Sequence, residues 1–476
     1  MTAKKLSVKT KLGYGIGQLG DSLGYNVFYY FFLFFLTDIA GVSPAIAGTI
    51  SFIAVLWDAI TDPVIGYMSD HSKSKMGRRR SFMISGALPY GICMFLLFSD
   101  IDLSPGIKGI YFIIIAMAFW TCYTVYVIPY FALGGELTDD FEERTSVRAW
   151  ASVFMYVAVF LASATPPMIV GFSEDKLGLS TSQGWRNVGI IFGVIILVII
   201  LICWACTKGK ESTDDTVHRE EIENAEKKNI FLSYWEILKL KPVKFLGGSV
   251  LLWALVCSAA SSGPVYMMTN NFNLSAEKQS LFFTLSSVFA LMWIPVINFL
   301  CKKFDKKHVY CVAMMTAGIA LCIFGITGVP NLKWAIMSCF CFTFGNTAFW
   351  TLYFSLMYDL NEVDEYVNGE RREGATAALL GLCQKLGAAL GLQLLGIFLQ
   401  IGGYGNPQAQ SEIVEKTILY ANTYLPGVLG ILAAVVIIGY PITKSRHSAL
   451  VNALKCRNEG KSYSEEGFAE VLNKKK

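Results

Sequence analysis

The feature that most constrains this chain is the recurrence of apolar runs of about 20 residues, nearly empty of charge and each long enough to cross a bilayer as a helix. In hydrocarbon every backbone N–H and C=O must be satisfied within the protein, so such runs fold as helices. About twelve are expected, starting near Gly13, Ile46, Phe82, Ile110, Val147 and Val188, then near Phe245, Ser280, Val309, Trp334, Ala375 and Leu419. Only 16% of the 476 residues are charged and 54% are hydrophobic, whereas soluble chains carry about 25% charge. The fold class is an all-α, multi-pass membrane protein with the lipid bilayer as its surroundings. The net charge of +4 gives no pointer to nucleic acid, because the basic residues fall in short loops between the runs. None of the twelve cysteines has a zinc-binding spacing; Cys203 and Cys206 end a run without a second ligand pair, and the thiols read as packing residues. All four histidines (His71, His218, His308, His447) lie in or beside loops. No cleavable signal peptide is expected, since the apolar segment behind the basic first eleven residues is too long for one.

The runs fall into two sets of six, separated by the polar stretch Thr207–Glu236. The expected organisation is an N-terminal bundle over 1–206, a cytoplasmic linker over 207–236, a C-terminal bundle over 237–443 and a cytoplasmic tail over 444–476. Lysine and arginine placement sets the orientation. Lys73, Lys75, Arg78, Arg79 and Arg80 follow the second run, and Lys302, Lys303, Lys306 and Lys307 follow the eighth. Alternate loops are poor in positive charge, with none between Asp38 and Pro44. Both termini are therefore expected in the cytoplasm, in a plasma (inner) membrane, with the tail as a solvated extension. The basic loop after the second run has a weak echo in Cys301-Lys-Lys-Phe-Asp-Lys-Lys-His308. Paired halves with a site between them near the midplane are the usual logic of secondary transporters.

Ionisable residues inside the runs are few. Asp58 and Asp62 lie in Trp57-Asp58-Ala59-Ile60-Thr61-Asp62-Pro63, four apart and therefore one above the other on a helix face. Each costs about 2.5–3.5 kcal/mol to insert, and two adjacent anions need a cation, a proton or a basic partner. A salt bridge to another helix is the alternative. Asp21 lies among glycines in the first run, and Lys385 lies in the eleventh. Thr61 and Thr124 add hydroxyls that suit a small cation such as Na⁺, or the carboxylates alone carry H⁺; a membrane threonine also bonds to its own helix. Asp359, Asp364 and Glu365, with Arg371 and Arg372, read as a gating or structural ion network. Tyr25, Tyr29, Tyr30, Trp120, Tyr123, Tyr126, Trp350 and Tyr353 include candidates for stacking on sugar rings. There is no nucleotide-binding motif and no haem or quinone ligand set, which leaves an ion gradient as the energy source.

These residues resemble the glycoside–pentoside–hexuronide:cation symporters of the major facilitator superfamily, which include the melibiose permease. The resemblance covers nearly the whole chain. It rests on the Trp57–Pro63 segment, Asp70-His-Ser-Lys-Ser-Lys-Met-Gly77-Arg-Arg-Arg80, Ile128-Pro129-Tyr130 and Glu136-Leu-Thr-Asp139. It continues through Tyr358-Asp359, Val363-Asp364-Glu365-Tyr366, Arg372-Glu373-Gly374 and Gln384-Lys385-Leu386-Gly387.

The resemblance implies two six-helix bundles of about twelve transmembrane helices related by pseudo-symmetry. It implies cation (Na⁺ or H⁺)-coupled symport of a glycoside, pentoside or hexuronide, with no enzymatic activity and no cofactor beyond the coupling ion. Asp58 and Asp62, with Thr61 and Thr124, are the expected cation site, the two aspartates being Na⁺ ligands if sodium is the ion. Asp21, Tyr25, Tyr123, Trp350 and Lys385 are the expected sugar-binding residues, and Asp70, Arg78, Asp359 and Arg372 the expected gating residues. The chain is expected to work as a monomer. Thr61 replaces an asparagine of the melibiose permease that matters for sodium. Val127, Ala151 and Val55 stand where that permease has an aspartate and two arginines, so a different sugar is expected. The rival reading is a carrier of the same fold for a lipid, amphiphile or drug.

Overall fold

The computed structural model describes residues 6–138, 140–209, 230–369, 372–406, 408 and 410–472. Residues 210–229 of the expected linker, with His218, lie outside the described residues, as do Asp139 and Arg371. The described chain is all-helical, as expected, and divides into two compact units. The first comprises Met1–Asp215 with Ser261–Ser287 and Leu392–Ile418; the second comprises Thr216–Ala260, Val288–Gly391 and Leu419–Lys476.

In the first unit, α1 (Val8–Val27) is followed by α2 (Pro44–Asp70), α3 (Arg78–Leu97), α4 (Pro105–Glu136), α5 (Phe141–Asp175) and α6 (Thr181–Cys206). A short helix, α7 (Ile230–Lys239), precedes α8 (Lys241–Tyr266), α9 (Ala276–Lys303), α10 (Lys306–Thr327), α11 (Leu332–Asn368) and α12 (Glu373–Ile401). The last span is broken into α13 (Ser411–Asn422) and α14 (Tyr424–Ile438), and α15 (Lys444–Asn458) follows. Eleven helices among the described residues are long and apolar enough to cross a membrane. The first is more polar, carrying Gln18, Asp21 and a file of glycines and tyrosines, and it is continued to Ile39 through two π-wound stretches, Phe28–Phe32 and Phe35–Ile39.

Glycine sets how closely these helices approach. A Cβ added to Gly91 on α3 would lie 2.7 Å from the Gly193 carbonyl on α6, and one on Gly193 would lie 2.5 Å from the Gly91 carbonyl. The two helices therefore touch backbone to backbone, the arrangement small residues permit in a bilayer. In the second unit α10 and α14 meet the same way, with Gly318 against the Gly427 carbonyl at 2.8 Å. Around that crossing Trp253, Tyr310, Phe349 and Tyr440 fill the core.

The tail is a packed part of the second unit, not the solvated extension expected from its polarity. Leu450 and Ala453 of α15, and Phe468 and Val471 beyond it, join the core that holds Leu356, Leu360 and Val363 of α11. Polar contacts reinforce it: the Tyr366 hydroxyl donates to Glu465 at 2.6 Å, and Arg446 pairs with Glu470 at 2.5 Å. His447 lies 3.7 Å from Glu362 and 3.8 Å from Asp359, and Lys306 also pairs with Asp359. The Glu362 carboxylate, seconded by Asp359, raises the His447 pKa.

Two outcomes follow from this packing. Gly193→Val should lower stability by about 1–3 kcal/mol, the usual cost of overpacking, read as a lower melting temperature in detergent. Gly381→Ala, which opens onto free space, should leave melting at or above wild type. Because the His447 pKa is raised, its contribution to tail docking is complete below the ordinary imidazole value of about 6.5 and is lost as pH rises through the raised value. Tryptic cleavage near Lys461, normalised to an unstructured reporter, should accelerate over that rise. His447→Gln should cleave fast throughout, and two superimposable pH profiles would rule the contact out.

Candidate substrate and cation site

The site begins with the register of α2 against α4. The Trp57 indole N–H on α2 donates to the Thr121 hydroxyl on α4 at 2.9 Å. One turn along each helix, that register brings Asp58, Thr61 and Asp62 against Thr124. The Thr124 hydroxyl lies 2.8 Å from Asp58 Oδ1 and 3.3 Å from Asp62 Oδ1, while the Thr61 hydroxyl lies 3.4 Å from it. Thr61 also donates to its own helix, to the Asp58 carbonyl at 3.1 Å, whereas Thr124 reaches across to α2. Asp58 is only 2% exposed and Thr124 is fully buried. Four side-chain oxygens, two of them carboxylate, thus converge inside a helical bundle.

Among the described residues no group of three or more His, Cys, Asp or Glu is suited to holding a metal ion. The cluster therefore lacks the ligands that favour transition metals. Its all-oxygen donors are of the kind that suit a hard cation or a proton.

A second polar centre lies on α1. Asp21 accepts from the Tyr123 hydroxyl at 2.6 Å, from Ser22 at 3.0 Å and from the Gln18 amide. The glycines of α1 let other tyrosines reach its backbone: Tyr126 donates to the Gly17 carbonyl at 2.7 Å and Tyr130 to the Tyr14 carbonyl at 3.0 Å. Beside Asp21, the Tyr25 ring packs against Tyr29 at 4.6 Å, Trp120 at 5.9 Å and Tyr123 at 6.4 Å. Tyr123 and Thr124 are consecutive on α4, so one turn of one helix serves both centres.

The residues selected from sequence thus fall into defined groups. Asp58, Asp62, Thr61 and Thr124 meet, and Asp21, Tyr25 and Tyr123 meet, all within the first unit. Trp350 on α11, 40% exposed, and Lys385 on α12 belong to the second unit. The four gating candidates each sit in an ion network; Arg372 meets Asp364, which the sequence grouped with it, and the other partners are ones the sequence did not single out. Asp70 pairs with Arg79, and Arg78 pairs with Glu136 at 2.7 Å; Arg79 also reaches Glu136 at 3.2 Å and donates to Ser69 at 2.8 Å. In the second unit Asp359 pairs with Lys306 at 2.5 Å. Arg372 bridges Asp364 at 2.7 Å and Glu236 at 2.6 Å.

Sequence reasoning missed several of these partners. Glu136 was legible as a lone carboxylate ending a span opposite three arginines, but Glu236 and Lys306 carried no local signal. Neither did a further cluster within the first unit. There Tyr404 donates to Asp38 at 2.6 Å and accepts from Asn270 at 2.8 Å, and Thr37 shares a hydrogen bond with Tyr266 at 2.9 Å.

Comparison with known proteins bears on what such an arrangement serves. The chain is 28% identical over 458 residues to the uncharacterized symporter YnaJ of Bacillus subtilis, covering 96% of each. It is 25% identical to the glucuronide carrier protein homolog of Escherichia coli, covering 94% of this chain and 95% of that one. A crystal structure of a D-xylose–proton symporter superposes with a TM-score of 0.65 over 90% of this chain and 96% of that one at 14% identity, which is a likeness of fold. Residues 13–444 match the family described as MFS/sugar transport protein. A match of that extent, on a helical chain with carboxylates clustered inside its first unit, makes this protein a member of the MFS/sugar transport protein family, a membrane transporter and not an enzyme.

Proposed function

We propose that the protein is a cation-coupled sugar symporter that works by alternating access. One observation carries the reading: Thr124, holding Asp58 and Asp62, adjoins Tyr123, holding Asp21. A Na⁺ ion or proton that neutralises the Asp58/Asp62 pair, with Thr61 and Thr124 as oxygen ligands, fixes this turn of α4. A fixed Tyr123 presents Asp21 and Tyr25 to the sugar; in the second unit, Trp350 and Lys385 are the candidates for sugar contact. Each ligand then raises the other's affinity, by the same factor in both directions. The relatives named as symporters and as a glucuronide carrier homolog support a sugar cargo and a cation partner.

In this reading residues 1–206 and 237–443 act as the two bundles, joined by the 207–236 linker, with the 444–476 tail and both termini on the cytoplasmic side of the plasma membrane. Asp70, Arg78, Asp359 and Arg372 belong to gates whose ion pairs open and re-form during the cycle. The carrier functions as a monomer and needs no further cofactor.

The test is uptake of radiolabelled methyl glycosides, pentosides and hexuronides into vesicles under an imposed Na⁺ gradient, an H⁺ gradient, or neither. Gradient-driven uptake of at least one sugar is expected, falling to background in Asp58→Asn/Asp62→Asn. Thr124→Val should raise the half-saturating concentration of the coupling ion roughly tenfold or more, the worth of a hydrogen bond to a charged group. Folded, inserted protein that moves amphiphiles but no sugar under any gradient would overturn the sugar assignment.

A further inference from the structure

Trp120 is fully buried on α4, yet its indole N–H has no hydrogen-bond acceptor among the described residues. A buried donor left without an acceptor costs about 1–3 kcal/mol, and such groups are rare enough that each calls for a reason. Two other indoles share the condition. Trp204 lies beneath the Arg80 guanidinium, 4.5 Å from its ring, and Trp253 belongs to the core of the second unit. Trp120 differs in its surroundings. It precedes Thr124 by one helical turn, which places it on the same face of α4 as the cation cluster. Its neighbour Tyr123, 5.0 Å away ring to ring, donates to Asp21.

Aromatic rings enclose it. Phe28 lies at 5.1 Å, Phe119 at 5.6 Å, Tyr25 at 5.9 Å and Tyr29 at 6.1 Å, all roughly edge to face. Phe28, Phe119 and Tyr29 are buried, whereas Tyr25 is only half-buried and so is the wall with room to move. The surroundings combine apolar ring faces, a carboxylate acceptor at Asp21 and an unused donor at Trp120. A sugar presents the complement: C–H faces for the rings and hydroxyls that both donate and accept.

We propose that the Trp120 indole N–H is a specificity-determining donor to a sugar oxygen, uncovered when Tyr25 swings aside. The donor selects among sugars by the oxygen placed opposite it, while Asp21 accepts from a neighbouring hydroxyl. This rests on the sugar-symport reading above. It also accounts for a buried donor with no acceptor among the described residues.

The experiment is calorimetric titration of purified protein in sodium buffer at pH 6 with methyl β-D-glucoside, methyl β-D-xyloside and methyl β-D-glucuronide. Trp120→Phe keeps an aromatic ring and removes the N–H. Its affinity for the best-bound of the three is expected to fall about five- to tenfold, the worth of one neutral hydrogen bond, with no fall in melting temperature. Trp120→His, which puts a ring N–H back, should recover affinity relative to Phe. Should the Phe variant not fold, His against Trp120→Leu makes the same comparison.

A donor that serves no ligand leaves sugar affinity unchanged when it is removed. Affinity within twofold of wild type in Trp120→Phe, or equal affinity in the His and Leu variants, overturns the assignment and leaves the symport reading standing. Failure of the wild-type protein to bind any of the three sugars sinks the symport reading, and the assignment with it.

Discussion

Two carboxylates one helical turn apart cannot both stay charged in hydrocarbon unless something is bound between them, and much of the first unit is arranged around that constraint. The Trp57–Thr121 hydrogen bond fixes α2 against α4, which puts the Thr124 hydroxyl within reach of both aspartates. A hydroxyl has one proton and so donates to one oxygen at a time. Asp58 Oδ1 at 2.8 Å is the nearer acceptor, and Asp62 Oδ1 stands at 3.3 Å. Because Tyr123 is the next residue back along α4, a shift that tightens Thr124 on the aspartates is felt by the Tyr123–Asp21 contact. In the symport proposed above, coupling of ion to sugar would require no long-range pathway, only the stiffness of one helical turn.

The ends of the helices are held by a different kind of contact. Arg79 touches Asp70, Glu136 and Ser69 at once, and Arg372 touches Asp364 and Glu236. Removing one partner from a buried pair leaves an uncompensated charge that costs about 3–5 kcal/mol, so such networks resist piecemeal loosening. An arginine with several acceptors can instead exchange one for another, never being left bare. On α11, Asp359 and Asp364 sit five residues apart and point to separate partners, Lys306 with His447 for one and Arg372 for the other. The C-terminal tail is thereby wired to one of the two networks through His447 and locked by Phe468 and Val471 in the core.

How far the sequence led depended on whether a residue's partner was local. Span positions were legible because hydrocarbon admits only satisfied backbone, and Asp58, Thr61 and Asp62 because helical periodicity alone stacks them. Thr124 was legible only as a hydroxyl in the fourth run; that it reaches the aspartates while Thr121 meets Trp57 depends on how α4 docks on α2. Arg78 was chosen over Arg79 as a gating residue; consecutive residues on a helix differ by about 100° in direction, and only the docked phase of α3 decides which one meets Asp70. The tail was misread for a related reason. Phe468 and Val471 stand alone in a polar stretch with no periodicity to show that they face a core. The Asp38–Tyr404 contact joins positions 366 apart in sequence, beyond any local pattern.

The departures from the galactoside carriers take on meaning at this point. Val55, Val127 and Ala151, which stand where those carriers have charges, are all buried apolar side chains here. An unpaired charge at such a buried position would be costly, and all three positions are instead filled by apolar side chains. What remains on that side is Asp21 with its three neutral donors, a half-buried Tyr25 and a set of aromatic faces. Recognition by stacking and neutral hydrogen bonds is less demanding of one epimer than recognition by paired charges, because a ring face accepts any pyranose or furanose with a run of axial C–H bonds. Selectivity must then come from where the few polar atoms stand. In the proposed symport, a single well-placed donor or acceptor at such a site would decide which sugar is carried, while the Asp58/Asp62 pair would supply only the coupling.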